Sequence, residues 1–302
     1  MVHEEEKNLD YERLIFLHHC EGLTWNHFKN ILTADPELAD IFKMDVKSLM
    51  MSFALSEKMA VRLYTFMNQK NSTYIMNVLK KNSITALPYF HKDYPSSLKT
   101  IFDPPWVLYG RGDWSTLKQD KIISVVGTRN PSSDGLGALS KVLTPLLKNK
   151  WVVVSGLARG IDTYAHRLCL LNGTRTAAVL GSGIKCVYPT ENNKLAEEIS
   201  SQGILISEFP PYVQPKRWHF PLRNRIISGL GKATLVAEAR TKSGSLITAD
   251  QALEQGRDVF AIPGSILEDC AAGTNFLIQN GAKLVMCAED IADEWTKPFS
   301  LN

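Results

Sequence analysis

The residues best suited to chemistry are cations that stand beside glycines in four short stretches of the chain. These stretches are GTRNPSSDG at 127–135, SGLARGID at 155–162, GSGIKCVYP at 181–189 and TKSGSLITAD at 241–250. Their cations are Arg129, Arg159, Lys185 and Lys242. Backbone amides before a helix, hydroxyl groups and a cation together bind an anion, most simply a phosphate. Turn geometry alone would explain the glycines, but it would not explain the charges beside them.

A fifth stretch, PKRWHFPLRNRIISGL at 215–230, mixes cations with aromatic rings. Its members are Lys216, Arg217, Arg223, Arg225, Trp218, His219 and Phe220. Cations among aromatic rings supply phosphate contacts and base-stacking faces together. We expect Phe220 to be the stacking ring and Trp218 to be buried. In the alternative interpretation, both rings anchor the core and the arginines form solvated ion pairs.

Patterns typical of other chemistries are incomplete. Cys186 stands where a dinucleotide-binding motif needs its third glycine, and Ala233 stands where a P-loop needs Ser or Thr. Ser182 and Lys185 have a hydrolase spacing, but no partner motif accompanies them. The seven histidines and five cysteines show no ligand spacing, and we interpret His166 as structural. The sequence therefore predicts no catalytic residue, no metal site and no cofactor.

Seven apolar runs place these loops at the ends of strands. The runs lie at 123–127, 152–156, 177–181, 204–208, 234–239, 259–264 and 283–286. Continuous apolar strands separated by helical stretches indicate a parallel sheet covered on both faces, which is a doubly wound α/β domain of Rossmann-like type. Ligands of such sheets bind at the carboxyl ends of the strands. We also expect Glu208 and Glu238, which end two of these runs, to pair with loop arginines.

The first part of the chain has a different pattern. Residues 1–82 show apolar positions at helical spacing and predict a small helical domain. The expected helix starts are Asp10, Thr24, Asp35 and Ser56. Four prolines crowd the segment 83–112, which we interpret as a connector packed on the next domain. Residues 113–302 then form the α/β domain.

Composition narrows the class of protein further. The chain has 302 residues, 44% of them hydrophobic, and a formal net charge of +3, which is too small to indicate a polyanionic partner by itself. No apolar run approaches the roughly 18 to 20 residues of a membrane span, and the N-terminus lacks the features of a secretory signal. We therefore expect a cytoplasmic protein with free thiols and no membrane span.

Eight strings follow one another between about 87 and 295: GTRNPS, VVSGLARGID, AVLGSGIKCVYP, ISEFPP, FPLRNRIISGL, SGSLITA, GRDVFAIPG and GTNFLIQNGA. In this order they resemble the DNA-processing protein A family, DprA or Smf. The resemblance implies an extended Rossmann-like, doubly wound, mostly parallel sheet, preceded by a small all-α SAM-like domain related to helix-hairpin-helix folds. It also implies a single-stranded DNA-binding recombination mediator that protects incoming DNA and loads the RecA recombinase during natural transformation, in competent cells.

The resemblance also implies roles for individual residues. Arg129 would be the principal phosphate ligand, while Arg217 and Phe220 would grip and stack the strand. The full set of expected DNA-binding residues is Thr128, Arg129, Asn130, Ser132, Gly156, Arg159, Gly160, Lys185, Arg217, Phe220, Arg223, Asn224, Lys242, Gly244 and Thr248.

A homodimer is a further implication of the resemblance. The helices expected at 274–280 and 288–295 offer candidate apolar contacts in Phe276, Leu277, Ile291 and Trp295. The alternative function is a Rossmann-like nucleotide-binding or nucleotide-cleaving enzyme. Related enzymes use a PGG-x-GT motif, whereas VFAIPG continues here with Ser265 and lacks the GT.

Overall fold

The computed structural model describes residues 10–296, which divide into two compact units. Of the described residues, one unit takes those up to Tyr94 together with Pro105–Tyr109, and the other takes Pro95–Pro104 and those from Gly110 onward. The segment 83–112, expected to be a single connector, therefore contributes to both units. No helix in the described part of the chain is both long and apolar enough to cross a bilayer.

The first unit is mainly helical. Its elements are α1 (Tyr11–His18), α2 (Trp25–Ala34), α3 (Val46–Phe53), α4 (Glu57–Gln69), α5 (Ser72–Lys81), β1 (Thr85–Pro88) and the first residues of β2 (Val107–Gly112). Side chains of Asp10, Thr24 and Ser56 accept backbone N–H groups at the starts of α1, α2 and α4, as the sequence predicts. The expected helix start at Asp35 is wrong. This residue follows the end of α2, and its carboxylate accepts three amides of the next turn.

The second unit alternates strands and helices. Its strands are β3 (Ile122–Val126), β4 (Val152–Ser155), β5 (Thr176–Leu180), β6 (Ile204–Ser207), β7 (Ala233–Val236), β8 (Asp258–Ala261) and β9 (Lys283–Leu284). Its helices are α6 (Ser96–Lys99), α7 (Ser133–Lys148), α8 (Ile161–Leu171), α9 (Asn193–Gln202), α10 (His219–Leu230), α11 (Gly244–Glu254), α12 (Ala272–Gln279) and α13 (Glu289–Thr296). Every one of the seven predicted strands begins within one residue of its observed start.

The strands of this unit lie in the order β6–β5–β4–β3–β7–β8–β9, and all of these pairs are parallel. Helices cover both faces. Leu143 of α7 and Ala165 of α8 join a buried cluster with Val125 of β3, while the hydroxyl of Ser124 donates to the carbonyl of Ile227 in α10 on the opposite face (2.6 Å). The predicted doubly wound α/β fold is thereby confirmed, and its loops converge where β3 lies between β4 and β7.

Candidate functional site

The loop after β3 is held at both ends by one buried residue, Glu238, which lies just beyond the end of β7. The amide of Thr128 donates to the Glu238 carbonyl (2.7 Å). The amide and the hydroxyl of Ser132 donate to its two carboxylate oxygens (2.9 and 2.6 Å). Glu238 therefore binds Ser132 rather than the loop arginine we expected. Arg129 and Asn130 lie between these two attachment points and are exposed.

The loop after β4 packs directly on this first loop. Leu157 and Gly160 both have left-handed backbones (φ 56° and 74°). A β-carbon at Gly160 would collide with the carbonyl oxygen of Thr128, so only glycine fits this close approach. The amide of Ile161, at the start of α8, donates to the same oxygen (3.2 Å). This backbone path leaves Arg159 at the surface of the loop.

Arg159 already has an anionic partner. Its Nε and Nη2 donate to the two carboxylate oxygens of Glu191 at 2.6 and 2.7 Å. Each charge stabilises the other, so the pKa of Arg159 is raised and that of Glu191 is lowered, in both cases mainly by their mutual hydrogen bond. We expected Arg159 to bind a phosphate. In the structure its guanidinium is paired with the Glu191 carboxylate.

Three side chains form an aromatic and cationic corner beside the first loop. The Phe220 ring, at the start of α10, lies against Gly181, whose absent side chain leaves room for it. The ring centroids of Tyr188 and Phe220 are 5.7 Å apart, and the guanidinium carbon of Arg129 is 6.0 Å from the Phe220 centroid. Tyr188 is about half exposed. Tyr188 is not one of the expected site residues, although its position inside the third glycine-containing stretch was available as a signal.

Trp218, just before α10, is exposed over 59% of its surface, so its expected burial is wrong. His219 takes the buried position instead and stacks on the Phe209 ring with centroids 4.0 Å apart. The Trp218 indole stands edge-on to His219, and the ammonium of Lys216 lies 5.9 Å from the indole. Arg217, the predicted gripping residue, is also exposed. This loop therefore presents both an aromatic ring and cations to solvent.

Arg223 of α10 does not lie with the exposed cations. Only 5% of its surface is accessible, and its Nη1 donates to the carbonyls of Gly156 (2.5 Å) and Val179. The nearby Asp162 carboxylate accepts the Gly156 and Ala158 amides at 3.2 and 3.3 Å. Burial lowers the pKa of Arg223 to about 10 and raises the pKa of Asp162. Arg223 therefore supports the second loop from beneath.

Arg225, two residues further along α10, forms a second buried cluster. Its Nη2 lies 2.5 Å from a carboxylate oxygen of Glu208, and its Nε lies 3.2 Å from one of Asp103. Burial raises the pKa of both Glu208 and Asp103. Glu208 thus pairs with an arginine, as we expected, but with one that is buried in a helix.

The fourth stretch opens α11. The Ser243 hydroxyl accepts the Ser245 amide (3.3 Å), and the amide of the Asn224 side chain donates to the Gly244 carbonyl (3.5 Å), which ties α10 to this turn. Lys242 is exposed and lines a pocket of about 450 Å³ whose wall includes Phe276.

The predicted site residues therefore fall into three groups at the carboxyl edge of the sheet. The exposed ones are Arg129, Asn130, Arg159, Lys185, Arg217, Lys242 and Gly244. The partly exposed ones are Thr128, Ser132, Gly160, Phe220 and Asn224. The buried ones are Gly156, Arg223 and Thr248, which can shape the site but cannot present a side chain to a ligand.

Ser182 and His166, two residue types that often carry chemistry, are both buried in hydrogen bonds of the fold. Between residues 10 and 296, no cluster of three or more His, Cys, Asp or Glu side chains is arranged to hold a metal ion. The Ser182 hydroxyl is buried and donates to the Cys186 carbonyl (2.6 Å). His166 is buried in α8 and shares a 2.7 Å hydrogen bond with the Thr176 hydroxyl. Burial, aided by the charge of Arg223, lowers the pKa of His166 to about 3.

Comparison with known proteins gives consistent matches. Residues 85–296 match the model of a family described as DNA recombination-mediator protein A. The DNA processing protein DprA of Bacillus subtilis (strain 168) is 44% identical over 232 residues, covering 74% of this chain and 78% of that protein. DprA of Streptococcus pneumoniae (strain ATCC BAA-255 / R6) is 48% identical over 202 residues, covering 67% and 71%.

Solved structures agree with these sequence matches. The X-ray structure of DprA from Streptococcus pneumoniae superimposes with a TM-score of 0.84 at 35% identity, covering 96% of this chain and 99% of that one. DNA processing protein A from Helicobacter pylori, solved to study its single-stranded DNA binding mode, gives a TM-score of 0.64 at 28% identity and covers 70% and 94%.

Proposed function

The chain belongs to the DNA recombination-mediator protein A family, and from this premise we propose that it binds single-stranded DNA at the carboxyl edge of its sheet. One observation carries the proposal: the corner in which Arg129, Phe220 and Tyr188 lie together. Stacking rings bind bases of an unpaired strand, and a guanidinium beside them binds the adjoining phosphate. The Helicobacter pylori relative, whose structure concerns single-stranded DNA binding, supports the same ligand.

The side chains that could contact the strand do not distinguish one base from another. Arg129, Arg159, Arg217 and Lys242 are cations suited to phosphates, and aromatic rings stack on any base. Reading a base sequence would need a set of side chains directed at base edges. We therefore expect single-stranded DNA of different sequences to bind with similar affinity.

The biological role we propose is that of a mediator. The protein protects incoming single-stranded DNA and loads the RecA recombinase onto it during natural transformation. The family description, DNA recombination-mediator protein A, supports this role. Binding of this kind requires no catalytic step, no metal and no cofactor. Because RecA loading takes place on DNA that has entered the cell, we also propose a cytoplasmic location.

We propose further that the protein acts as a homodimer, with the β9 edge of the sheet as the contact. Phe276, Leu284 and Met286 are exposed there, and the outer edge of β9 has no neighbouring strand in the described part of the chain. Leu277 and Ile291, two earlier candidates, are buried within the unit, and the side chain of Trp295 lies outside the described residues. Light scattering that stays near the 33.8 kDa of one chain at tens of micromolar would contradict the dimer.

The DNA proposal is tested by removing the stacking ring. Phe220→Ala should weaken binding of a fluorescent oligothymidylate by about 1 to 3 kcal/mol in an anisotropy titration, because one base loses its stacking partner. Phe220→Leu is the matched control for packing against Gly181, and it should lose affinity while keeping the thermal unfolding midpoint. Unchanged affinity in a folded Phe220→Ala protein would contradict the proposed site.

A search for reaction products distinguishes the mediator from the alternative, a nucleotide-cleaving enzyme. Incubation of the protein with nucleoside monophosphates and with single-stranded DNA, followed by chromatography, should return both unchanged. Turnover of either would replace the mediator proposal with the nucleotide-cleaving one.

A further inference from the structure

The ion pair between Arg159 and Glu191 fills the edge of the guanidinium that a phosphate would use. Nε and Nη2 form one two-pronged edge, and both donate to the carboxylate at 2.6 and 2.7 Å. A carboxylate and a phosphodiester each present two oxygens at a similar spacing to such a fork. Glu191 therefore occupies, within this chain, the position of a phosphate at Arg159.

Glu191 is held in this position by the residue that follows it. Asn192 is almost fully buried, and its side-chain amide donates to the Leu157 carbonyl (2.9 Å) and to the Thr163 hydroxyl (2.8 Å). These two bonds attach the short helical turn Thr190–Asn192 to the loop that carries Arg159 and to the first turn of α8. Since the backbones on both sides are anchored, the contact is built into the fold.

The pair is nevertheless easy to open. The side chains of Arg159 and Glu191 are 59% and 52% exposed, and ion pairs in water contribute little to stability. If a phosphate bound while Glu191 stayed, two negative charges would share one guanidinium. Exchange avoids that repulsion, because the freed carboxylate is hydrated while Arg159 keeps one anionic partner.

We propose that Glu191 is an internal competitor of DNA: it occupies Arg159 in the free protein and is displaced by a phosphate when a strand binds. This inference rests on the proposed binding of single-stranded DNA at the same edge. Glu191 then lowers the affinity of the site and keeps Arg159 from holding stray anions between encounters with DNA.

The test is a double-mutant cycle of Glu191→Gln and Arg159→Gln, measured by anisotropy with a fluorescent oligothymidylate at about 0.15 M salt, where the Debye length is about 8 Å. Glu191→Gln alone should lower Kd about two- to fivefold, the range expected for loss of an exposed competing pair. In the Arg159→Gln background the same change should alter Kd by less than about 1.5-fold, because no pair is left to open. Glu191→Ala repeats the measurement with a second side chain.

The matched control is Glu198→Gln, which removes the same charge from an exposed position on α9. It should leave Kd within about 1.5-fold of wild type, since exposed charges at a distance are screened. Equal tightening by Glu198→Gln, or equal tightening by Glu191→Gln with and without Arg159, would assign the effect to general charge and overturn the proposal. Weaker binding by Glu191→Gln would also overturn it, because Glu191 would then orient Arg159 for DNA.

Failure of the competitor proposal is distinguishable from failure of the function. A wild-type protein that binds no oligonucleotide overturns the proposed function and the competitor together. A wild-type protein that binds, with no coupling between the two positions, overturns the competitor alone.

Discussion

The loop arginines and the α10 arginines use the same side chain in opposite ways. Arg129 and Arg159 extend from loops at the carboxyl edge and are exposed, whereas Arg223 and Arg225 are buried in α10. The exposed pair is accessible to a ligand. The buried pair binds main-chain carbonyls and carboxylates that are part of the fold. The comparison teaches that a cation in the same stretch can serve the fold instead of a ligand, since Arg223 holds the second loop through the Gly156 carbonyl.

The largest effect is expected for Arg223→Ala. The Gly156 and Val179 carbonyls would lose their donor, and the buried Asp162 carboxylate would lose the charge that favours its ionised form. We expect the free energy of unfolding to fall by about 3 to 5 kcal/mol, as for other broken buried ionic contacts. Urea denaturation at pH 7 measures this, and a variant as stable as wild type would show that Arg223 has no supporting role.

Arg129→Ala should weaken DNA binding and leave the stability of the protein nearly unchanged. Removal of an exposed, charge-assisted ligand should weaken oligothymidylate binding about ten- to hundredfold. Stability should change by less than about 0.5 kcal/mol, as for other surface substitutions. If four phosphates are neutralised, the log–log salt slope of wild type should be about −3, and that of the variant about −2. Lys242→Ala is the matched comparison and should cost less, because an ammonium cannot bind a phosphate through a fork.

The smallest effect concerns His166, whose pKa near 3 lies well below the ordinary 6.5. Between these two pH values the unfolded chain binds a proton that the folded chain does not, so stability falls as the pH drops below 6.5. The loss is at most about 1.4 kcal/mol per pH unit, or about 2 kcal/mol at pH 5. Urea denaturation at pH 7 and pH 5 should show a smaller pH effect in His166→Gln than in wild type. Equal pH effects would mean that His166 titrates normally.

The fold could be predicted from the sequence because each strand is marked by residues that are neighbours in the chain. Each buried strand is a continuous apolar run, so its start can be found from neighbouring residues alone, and the loops at the carboxyl edge follow from that pattern. The caps of α1, α2 and α4 were equally local. Asp35 shows the limit, because the same residue type can close a turn after a helix as readily as it can begin one.

The site could be predicted only in part because its contacts join residues that are far apart in the sequence. Arg217 and Arg223 lie in one basic stretch, but Arg223 is buried by carbonyls 67 and 44 residues away in sequence. Glu191 reaches Arg159 across 32 residues. Trp218 and His219 could each have taken the buried position, and the packing of Phe209 decides between them. No spacing rule encodes these choices.

The hold of Glu238 on the first loop has a consequence for protein synthesis. The ribosome makes the loop that carries Arg129 early, but the carboxylate that fixes Ser132 comes 106 residues later. Chains grow at roughly 5 to 20 residues per second, so the nascent loop waits for about 5 to 20 seconds without its attachment. We expect an incomplete chain to grip nucleic acid poorly during that interval. The loop that carries Arg129 therefore reaches its final form only after β7 has joined the sheet and brought Glu238 to Ser132.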